Sequence, residues 1–298
     1  MSEHGSKRRV YTSRLGAAAL LLPTVAFLVV FLYYPFVETF WLSFHRSDLL
    51  RPDRFVGLDN YVRMVNSETY RYSLLLSTAW AIAVVSLTTV LSLLISFLIH
   101  ETERFSGLYL VASIWPYALP LAVAAVVLDF LLHPELGTFT FVLSEALGVS
   151  IDWHTDGALA IVVLTVAAVW QGLGYSIIFF TAALGQIPDS ITEATRVDGI
   201  GRLNRLFRVY VPLISPTIVF LIVINSVGAF FGGFALVDLM TNGGPDGATN
   251  ILIFKLYRDA FEFNQFGYAA AQSVVLFAIV GVLLYVQLRV SERYAYYG

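Results

Sequence analysis

The chain has 298 residues, of which 58% are hydrophobic and only 13% are Asp, Glu, Lys or Arg, and its mean hydropathy is +0.75. An average soluble domain carries about 25% charged residues, so this composition argues against a soluble enzyme. The net charge of −3 gives no indication of a nucleic-acid partner, and the absence of cysteine excludes disulfides and a thiol nucleophile and disfavours a zinc site.

The chain begins with a basic segment followed by an apolar run. Lys7, Arg8 and Arg9 precede the run, which extends from Leu15 to Val37. This order resembles a secretory signal peptide, but the run is too long for one and no A-x-A cleavage site follows it. We therefore expect the run to be retained as a membrane span.

Six segments are apolar and long enough to cross a bilayer, which takes about 20 residues of helix. They lie at about 15–37, 73–99, 108–132, 158–184, 212–236 and 269–288. Only the third contains a formal charge, Asp129, near its end. Because lipid leaves backbone polar groups without partners, we expect an all-α, polytopic membrane protein with six transmembrane helices in a single domain, residues 1–298.

The distribution of Lys and Arg indicates the orientation, since cytoplasmic loops carry an excess of them. With six spans, both termini share a side with the 100–107 and 185–211 loops, and that side carries eleven of the 18 Lys and Arg residues. The 133–157 loop, on the opposite side, contains four acids and no Lys or Arg. We therefore expect both termini and the 185–211 segment to lie in the cytoplasm.

The chain contains no sequence that would bind nucleotide phosphates in the manner of a P-loop, G-x-x-x-x-G-K-[ST]. The longest polar loop, 38–72, is too short to build a large soluble core. If the protein transports a solute uphill, the energy is expected to come from another chain or from an ion gradient.

The densest charged stretch reads EATRVDGIGRLNRLF and lies between the fourth and fifth spans. Pro188 ends the fourth span, and Ser190 with Glu193 is predicted to form a capping box at the start of a short helix. Gly199 and Gly201 are predicted to end this helix, because glycine adopts the left-handed backbone conformation at low cost.

The second half of the stretch is predicted to form a basic amphipathic helix. Its apolar side chains recur at helical spacing, at Leu203, Leu206, Phe207 and Tyr210. Its arginines recur at every third position, at Arg202, Arg205 and Arg208. Such a helix commonly lies on anionic lipid, with its apolar face in the bilayer. The small side chains expected to be exposed on the first helix (Ala194, Thr195 and Gly199) favour close approach by another protein instead, and periodicity alone does not choose between lipid and protein.

The spacing of Glu193, Gly199 and Pro212 resembles the E-A-A-x-x-x-G…I-x-L-P signature of permease subunits in bacterial and archaeal ABC importers. Thr195 stands where the second Ala is usual, and Val209 and Val211 replace Ile and Leu. The similarity covers nearly the whole chain and includes the segments FVGLDNY, WPYALP, HPELG, VWQGLGYSIIFF, AFFGGF and MTNGGPDGATN. The chain thus resembles the maltose-type permeases of carbohydrate uptake, and among them those for glycerol 3-phosphate of the first-subunit type.

The resemblance implies a type I importer core with a coupling-helix hairpin at 186–211 that docks on an ATPase. Its contact residues would be Glu193, Ala194, Thr195, Asp198 and Gly199. The implied partners are a second permease subunit, two ATPase subunits that bind ATP and Mg²⁺, an extracytoplasmic substrate-binding protein and membrane lipid. The chain itself would hold no catalytic residue, metal or cofactor, and it would lie in the inner membrane of a bacterium or archaeon.

Polar and aromatic side chains inside the spans indicate a substrate pathway, because they are costly in lipid unless they face a cavity or the protein interior. The candidates are Gln171, Gly172 and Tyr175 in the fourth span, Phe230, Phe231 and Gly233 in the fifth, and Trp115 and Tyr117 in the third. The alternatives are helix packing through small residues such as Gly174 and a kink at Pro116. Gly232 and Gly233 stand where sugar permeases typically carry Asn.

The substrate and two rival classes stay open at this stage. No Lys or Arg lies within a span, so a phosphate would need helix N-termini or a partner's cation. We expect glycerol 3-phosphate or a glycerophosphodiester first, and a neutral di- or oligosaccharide such as maltose or trehalose second. An ion-gradient-driven transporter is a remote alternative, since Asp129 alone is available for it. A membrane enzyme is disfavoured because His45, His100, His133 and His154 lie singly, without metal-ligand spacing.

Overall fold

The computed structural model describes residues 14–102, 104–148 and 152–294. The helices in these ranges are α1 (Arg14–Leu28), α2 (Tyr34–Leu42), α3 (Asp59–Asn66), α4 (Glu68–His100), α5 (Ser106–Ile114), α6 (Leu121–Leu132), α7 (Thr138–Leu147), α8 (Gly157–Leu184), α9 (Asp189–Val197), α10 (Arg202–Arg205), α11 (Val211–Leu213), α12 (Ser215–Gly232), α13 (Phe234–Leu236), α14 (Leu252–Tyr257) and α15 (Phe266–Tyr294). The helical prediction is confirmed. The first loop also contains two short antiparallel strands, β1 (His45–Asp48) and β2 (Arg51–Phe55), which the all-α prediction did not include.

Several helices continue through short segments of different pitch. Trp115–Ala118 is a 3₁₀ turn. Four other segments of the described chain are π-helical, namely Val29–Tyr33, Leu206–Tyr210, Val237–Thr241 and Arg258–Glu262. The basic residues Lys7, Arg8 and Arg9 and both chain ends lie outside the described residues. The cytoplasmic location of the termini therefore stays a prediction.

By length and composition, five stretches of the described chain are suited to cross a membrane: Ala18–Leu42, Glu68–His100, Gly157–Leu184, Ser215–Gly232 and Phe266–Arg289. A sixth crossing is obtained if the pair Ser106–Ala118 and Leu121–Leu132, which is bent by 99°, counts as one span. No residue of the first stretch is buried within this chain.

The third predicted span, 108–132, is therefore broken rather than continuous. The helix α5 passes into the 3₁₀ turn at Trp115, Leu119 is extended with ψ 133°, and α6 starts after Pro120. The ring of a proline clashes with a helical backbone at the preceding residue, so Leu119 leaves the helix. A kink at Pro116 was one expectation for this segment, but the second proline of WPYALP produces the break.

The chain divides into two compact units, and the first contains the described part of residues 1–63 together with 259–274. In this unit the side chain of Asn60 fixes the approach to the β-hairpin, because its Nδ2 donates hydrogen bonds of 2.9 Å to the carbonyls of Ser43 and His45. The hydroxyl of Tyr61 also donates to Ser43 Oγ at 2.7 Å. These bonds explain the Asn-Tyr pair of the FVGLDNY segment structurally.

The second unit contains residues 64–258 and the described part of 275–298. Here α4 packs along α8, and Ser96 Oγ of α4 donates a hydrogen bond of 3.2 Å to the carbonyl of Ile177 in α8. A buried apolar cluster fills the space between the C-terminal ends of these two helices and the segment 186–221. Its members are Leu93, Phe97, Phe180, Leu184, Ile187, Leu206, Tyr210, Ile214 and Leu221.

Gly174 allows α8 to lie directly against the arm that ends in the 3₁₀ turn. A Cβ at this position would lie 2.7 Å from Cβ of Tyr117 and 2.8 Å from the carbonyl oxygen of Ile114. These distances are below van der Waals contact, so no larger residue fits without moving the arm. The structure thus favours helix packing as the role of Gly174.

We expect Gly174→Ala to lower the free energy of unfolding by about 1–3 kcal/mol, because the added methyl group overpacks the contact with the arm. Gly228→Ala is the matched control, since a Cβ there meets no other heavy atom within 4 Å. That control is expected to leave stability unchanged or raise it by up to ~1 kcal/mol, since alanine favours a helix interior. Thermal and denaturant unfolding in detergent measure both variants, and equal stability of the two would contradict the packing role.

Candidate functional site

Two features of the second unit are candidates for function, and the first is the hairpin formed by residues 186–211. Its first helix, α9, begins after Pro188, and no side chain caps its N-terminus. The predicted capping box of Ser190 and Glu193 is therefore wrong. The extended backbone of Pro188 (ψ 136°) occupies the N-cap position, which places Ser190 inside the helix. Asp189 in the first turn instead complements the positive end of the helix dipole.

The predicted helix end at Gly199 is confirmed. Gly199 has φ +69°, the left-handed conformation that glycine adopts without a steric penalty. The N–H of Ile200 donates to the carbonyl of Thr195 at 3.0 Å, and the N–H of Gly199 donates to the carbonyl of Arg196 at 3.1 Å. These two bonds form a Schellman motif, which satisfies the last carbonyls of the helix. Gly201 has φ −61° and ψ 153°, so it is the N-cap of α10 instead.

Four of the five predicted contact residues of α9 are exposed, namely Glu193, Ala194, Asp198 and Gly199. Thr195 is only 6% exposed, and its hydroxyl donates to the carbonyl of Thr192 at 2.8 Å. Its predicted exposure is wrong, because this side of the helix faces the protein. Val197 is 87% exposed on the same helix and was not predicted as a contact. Val197 stands between Arg196 and Asp198, and an apolar residue between two charged ones was the sequence feature that could have indicated its exposure.

The second half of the hairpin differs from the predicted amphipathic helix. Leu206 and Tyr210 are buried, but Leu203 and Phe207 are exposed, so the four do not share one face. The segment also changes from α10 to a π-helix at Leu206, which the regular helical spacing did not predict. The arginine stripe is also interrupted, because Arg205 is buried.

Arg205 forms an ion pair with Glu101, the C-cap residue that follows α4. Arg205 Nη2 donates a hydrogen bond to Glu101 Oε2, and Arg202 Nε lies 3.9 Å from the same oxygen. Between α9 and the π segment, Thr192 Oγ1 and the hydroxyl of Tyr210 form a hydrogen bond of 3.0 Å. The hairpin is therefore connected by polar contacts both internally and to α4.

The second candidate is a cavity of about 340 Å³ within the same unit. It is lined by Trp80, Val84, Thr88, Tyr117, Leu121, Ala168, Gln171, Gly172, Tyr175, Ile224, Asn225, Gly228, Ala229, Gly232, Gly233 and Leu236. The helices α4, α8 and α12 form its walls, with contributions from the 3₁₀ turn, α6 and α13. A volume of this order falls within the range of small-molecule sites in proteins.

Five of the eight predicted pathway residues line this cavity: Gln171, Gly172, Tyr175, Gly233 and Tyr117. The remaining three do not. Phe230 is buried and Phe231 is exposed on α12, and Trp115 is exposed with its ring edge-to-face to Trp170 at 5.7 Å.

The wall formed by α4 was not identified from the sequence. Trp80, Val84 and Thr88 line the cavity, and they stand in a long apolar helix where one Trp and one Thr carry little signal. Gly233 makes this wall possible, because a Cβ there would lie 2.4 Å from Cη2 of Trp80. The glycine that replaces an expected polar residue thus accommodates an indole ring.

Polar groups at the cavity are neutral. Nε1 of Trp80 and Oγ1 of Thr88 are buried and have no hydrogen-bond partner among the described residues. Asn225 Nδ2 donates to Ser176 Oγ at 3.2 Å, which leaves its carbonyl oxygen as an acceptor. The lining residues include no Lys, Arg, Asp or Glu. This set is suited to hydroxyl groups and aromatic stacking rather than to pairing with a full charge.

Ionisable groups elsewhere in the described part of the chain do not form a metal centre, since no group of three or more His, Cys, Asp or Glu side chains could hold an ion. Asp129, the predicted lone acid of the spans, lies near the end of α6. Its Oδ1 is 4.0 Å from Nε2 of His154, and the His154 ring is edge-to-face to His133 at 4.9 Å.

Comparison with known proteins gives a consistent result. Residues 89–293 match the family model described as "Binding-protein-dependent transport system inner membrane component". The chain is 38% identical over 275 residues to the sn-glycerol-3-phosphate transport system permease protein UgpA of Yersinia pestis bv. Antiqua (strain Antiqua), covering 92% of this chain and 93% of the relative. It is 33% identical over 290 residues to UgpA of Agrobacterium fabrum (strain C58 / ATCC 33970), covering 97% and 99%.

Solved structures agree on the fold. The chain is similar to a subunit of a bacterial ABC transporter involved in the import of the acidic polysaccharide alginate, with a TM-score of 0.83 and 20% sequence identity, covering 94% of this chain and 96% of the other. The predicted type I importer fold is thus confirmed. Since the family model covers more than two thirds of the chain and the relatives align over nearly all of it, this protein belongs to the binding-protein-dependent transport system inner membrane components, the permease subunits of ABC importers.

Proposed function

We propose that this chain forms half of the translocation pathway of an ATP-driven importer for glycerol 3-phosphate or a glycerophosphodiester. The observation that carries the substrate class is the identity of 33–38% to glycerol-3-phosphate permeases over 92–97% of the chain. The cavity between α4, α8 and α12 is the proposed passage. It offers a stacking surface at Trp80, Tyr117 and Tyr175 and neutral hydrogen-bonding groups at Gln171 and Asn225.

The proposed complex contains a second permease subunit, two ATPase subunits and an extracytoplasmic binding protein. ATP and Mg²⁺ would be bound by the ATPase subunits, since this chain contains no P-loop. The unburied apolar surface of Ala18–Leu42 supports a neighbouring permease or lipid as its partner. In this proposal the binding protein delivers the substrate from outside, and closure of the ATPase pair switches the cavity between outward and inward access.

The exposed face of α9 is the proposed ATPase contact. It presents the carboxylates of Glu193 and Asp198 beside Ala194 and Gly199, which have little or no side chain to obstruct a partner. Thr195 supports this face from beneath through its bond to Thr192. Docking there requires the hairpin to lie in the cytoplasm, as the distribution of Lys and Arg predicts.

A neutral di- or oligosaccharide such as maltose or trehalose is the second candidate substrate. The cavity wall contributed by this chain contains no cation, and an unpaired phosphate is costly to desolvate. A phosphorylated substrate would therefore depend on a cation from the second permease or on helix dipoles.

An ion-gradient-driven transporter is disfavoured. Proton and cation carriers place acids near the middle of the membrane, facing the pathway. Asp129, the acid of the predicted spans, lies near the end of α6 beside His154 and does not line the cavity.

Uptake assays test the proposed substrate. The importer complex copurified through this chain and placed in proteoliposomes is expected to accumulate labelled glycerol 3-phosphate or glycerophosphocholine in preference to maltose and trehalose. Gly232→Trp is expected to reduce uptake about tenfold or more by filling the cavity, because a Cβ at Gly232 points into open space.

Gly281→Trp is the matched control for the filled cavity, since Gly281 is exposed on α15 and a Cβ there also meets no atom within 4 Å. Its uptake is expected to remain near the wild-type rate. Accumulation of the disaccharides alone would overturn the proposed substrate, and equal uptake by the two tryptophan variants would overturn the proposed passage.

Variants of α9 test the proposed ATPase contact. Glu193→Lys is expected to abolish substrate-stimulated ATP hydrolysis and copurification of the ATPase, because it reverses the charge at the centre of the exposed face. Glu145→Lys, the same change at an exposed position of α7, is expected to leave both unchanged.

A second pair of variants separates backbone shape from charge. Gly199→Val is expected to reduce ATP hydrolysis strongly, since a β-branched residue is strained at φ +69°. Gly201→Val fits the extended backbone of its position and is expected to behave as wild type. Membrane insertion should be normal in all four variants, and full ATPase stimulation in Glu193→Lys would contradict the proposed contact.

A further inference from the structure

The ion pair between Glu101 and Arg205 is buried at the junction of α4 with the hairpin. The side chain of Arg205 is 4% exposed and that of Glu101 is 9% exposed. Arg202 approaches the same carboxylate oxygen to 3.9 Å, yet its side chain is 79% exposed. Two arginines of one segment therefore meet the same acid, and only one of them is desolvated.

A buried ion pair is not explained by stability alone. Removing both charges from water costs much of what their attraction returns, and apolar residues of similar size often serve as well. Nε of Arg205 also has no hydrogen-bond partner among the described residues, so its desolvation is incompletely compensated. Such a pair provides a defined geometry, because a charge-assisted hydrogen bond fixes the relative position and orientation of its two groups.

The connectivity of the chain shows which helix depends on this bond for its position relative to the hairpin. The hairpin follows α8 after a few residues and leads through α11 into α12, so its motion reaches these two walls of the cavity through the covalent backbone. The third wall, α4, is separated from the hairpin by about 85 residues of intervening chain. Contact between α4 and the hairpin is non-covalent, and Glu101 at the end of α4 makes the charged part of it.

The helix α4 itself is a continuous rod between the ion pair and the cavity. Thr88 and Glu101 are 13 residues apart, which corresponds to about 20 Å of helix. Tyr210 adds contacts at the same junction, with its ring 6.1 Å from that of Phe97 and its hydroxyl bonded to Thr192 of α9. A displacement of α9 therefore has a direct route through Arg205 and Glu101 to Trp80 and Thr88.

We propose that Arg205 and Glu101 are positioning residues that lock the hairpin to α4, so that movement of the hairpin by the ATPase also moves the α4 wall of the cavity. This role rests on the proposed function of the hairpin as the ATPase contact. Arg202 is not part of the lock, because solvent screens its weaker contact with Glu101.

The first experiment measures uptake and ATP hydrolysis together in the copurified complex. Arg205→Met is expected to lower the amount of substrate taken up per ATP hydrolysed by about tenfold, while hydrolysis continues. Arg202→Met is the matched control and should keep the wild-type ratio. The exchanged pair Glu101→Arg with Arg205→Glu should recover at least part of it, which a general packing role would not predict.

Arg205→Met alone could fail to fold because it leaves the Glu101 carboxylate without its partner. The combination Glu101→Gln with Arg205→Met avoids this problem, since it removes both charges and leaves no unpaired charge buried. It is expected to be stable and uncoupled. A wild-type ratio in this combination, or equal impairment by Arg202→Met and Arg205→Met, would overturn the proposed lock. So would a parallel loss of uptake and hydrolysis in Arg205→Met, since that result indicates a defect in docking.

The second experiment needs no ATPase, and therefore distinguishes failure of the lock from failure of the proposed function. Because the chain has no cysteine, spin labels can be attached at Ala194→Cys on α9 and Val90→Cys on α4 without removing native thiols. The distance distribution between the labels is expected to broaden in Arg205→Met and to remain narrow in Arg202→Met. An unchanged distribution in Arg205→Met would overturn the lock, whereas a wild-type chain that captures no ATPase would overturn only the proposed coupling.

Discussion

Lipid supplies neither hydrogen-bond partners nor counter-charges, and the placement of polar groups in this permease follows from that constraint. Several hydroxyl groups within the spans donate to a carbonyl of their own helix: Thr78 donates to the carbonyl of Leu74 at 2.8 Å, and Thr165 to that of Ile161 at 2.6 Å. Such bonds satisfy the side chain without a second helix. Formal charges are kept to the ends of the spans, where Glu101 can meet an arginine of the hairpin.

The same constraint determined how much the sequence could predict. Spans are recognised because a helix of about 20 apolar residues matches the thickness of a bilayer, and Gly199 is recognised because many helices end at a left-handed residue, which is usually glycine. Both signals are local. The burial of Arg205 has no local signal, since its partner Glu101 is 104 residues away and every third position of the segment is an arginine. Because the three residues of the stripe are all arginine, the sequence does not indicate that Arg205 is the buried one.

The cavity illustrates a second limit. Gln171 and Tyr175 were identified because an amide and a phenol are conspicuous in a span. The opposite wall depends on steric fit between side chains rather than on polar groups. Gly233 has no side chain of its own to present, and its effect is to let the indole of Trp80 approach α12. Complementarity between a glycine and a tryptophan 153 positions apart cannot be read from either residue alone. The break at Leu119 is intermediate, since the rule for residues before proline predicts it once both prolines of WPYALP are considered.

The two candidate functional features of the second unit are linked by interactions of different kinds, and the difference has a consequence for the proposed mechanism. Leu206 and Tyr210 pack against Phe97 at the end of α4, but apolar packing has little directional preference and allows one surface to slide over another. The bond from Arg205 to Glu101 does have a direction, and it lies where the hairpin has no short covalent connection to α4, the helix that we propose it moves. A cavity with three helical walls changes shape in a defined way only if all three follow the hairpin. In the proposed mechanism the backbone connects the hairpin to α8 and α12, and for α4 the ion pair takes the place of the backbone.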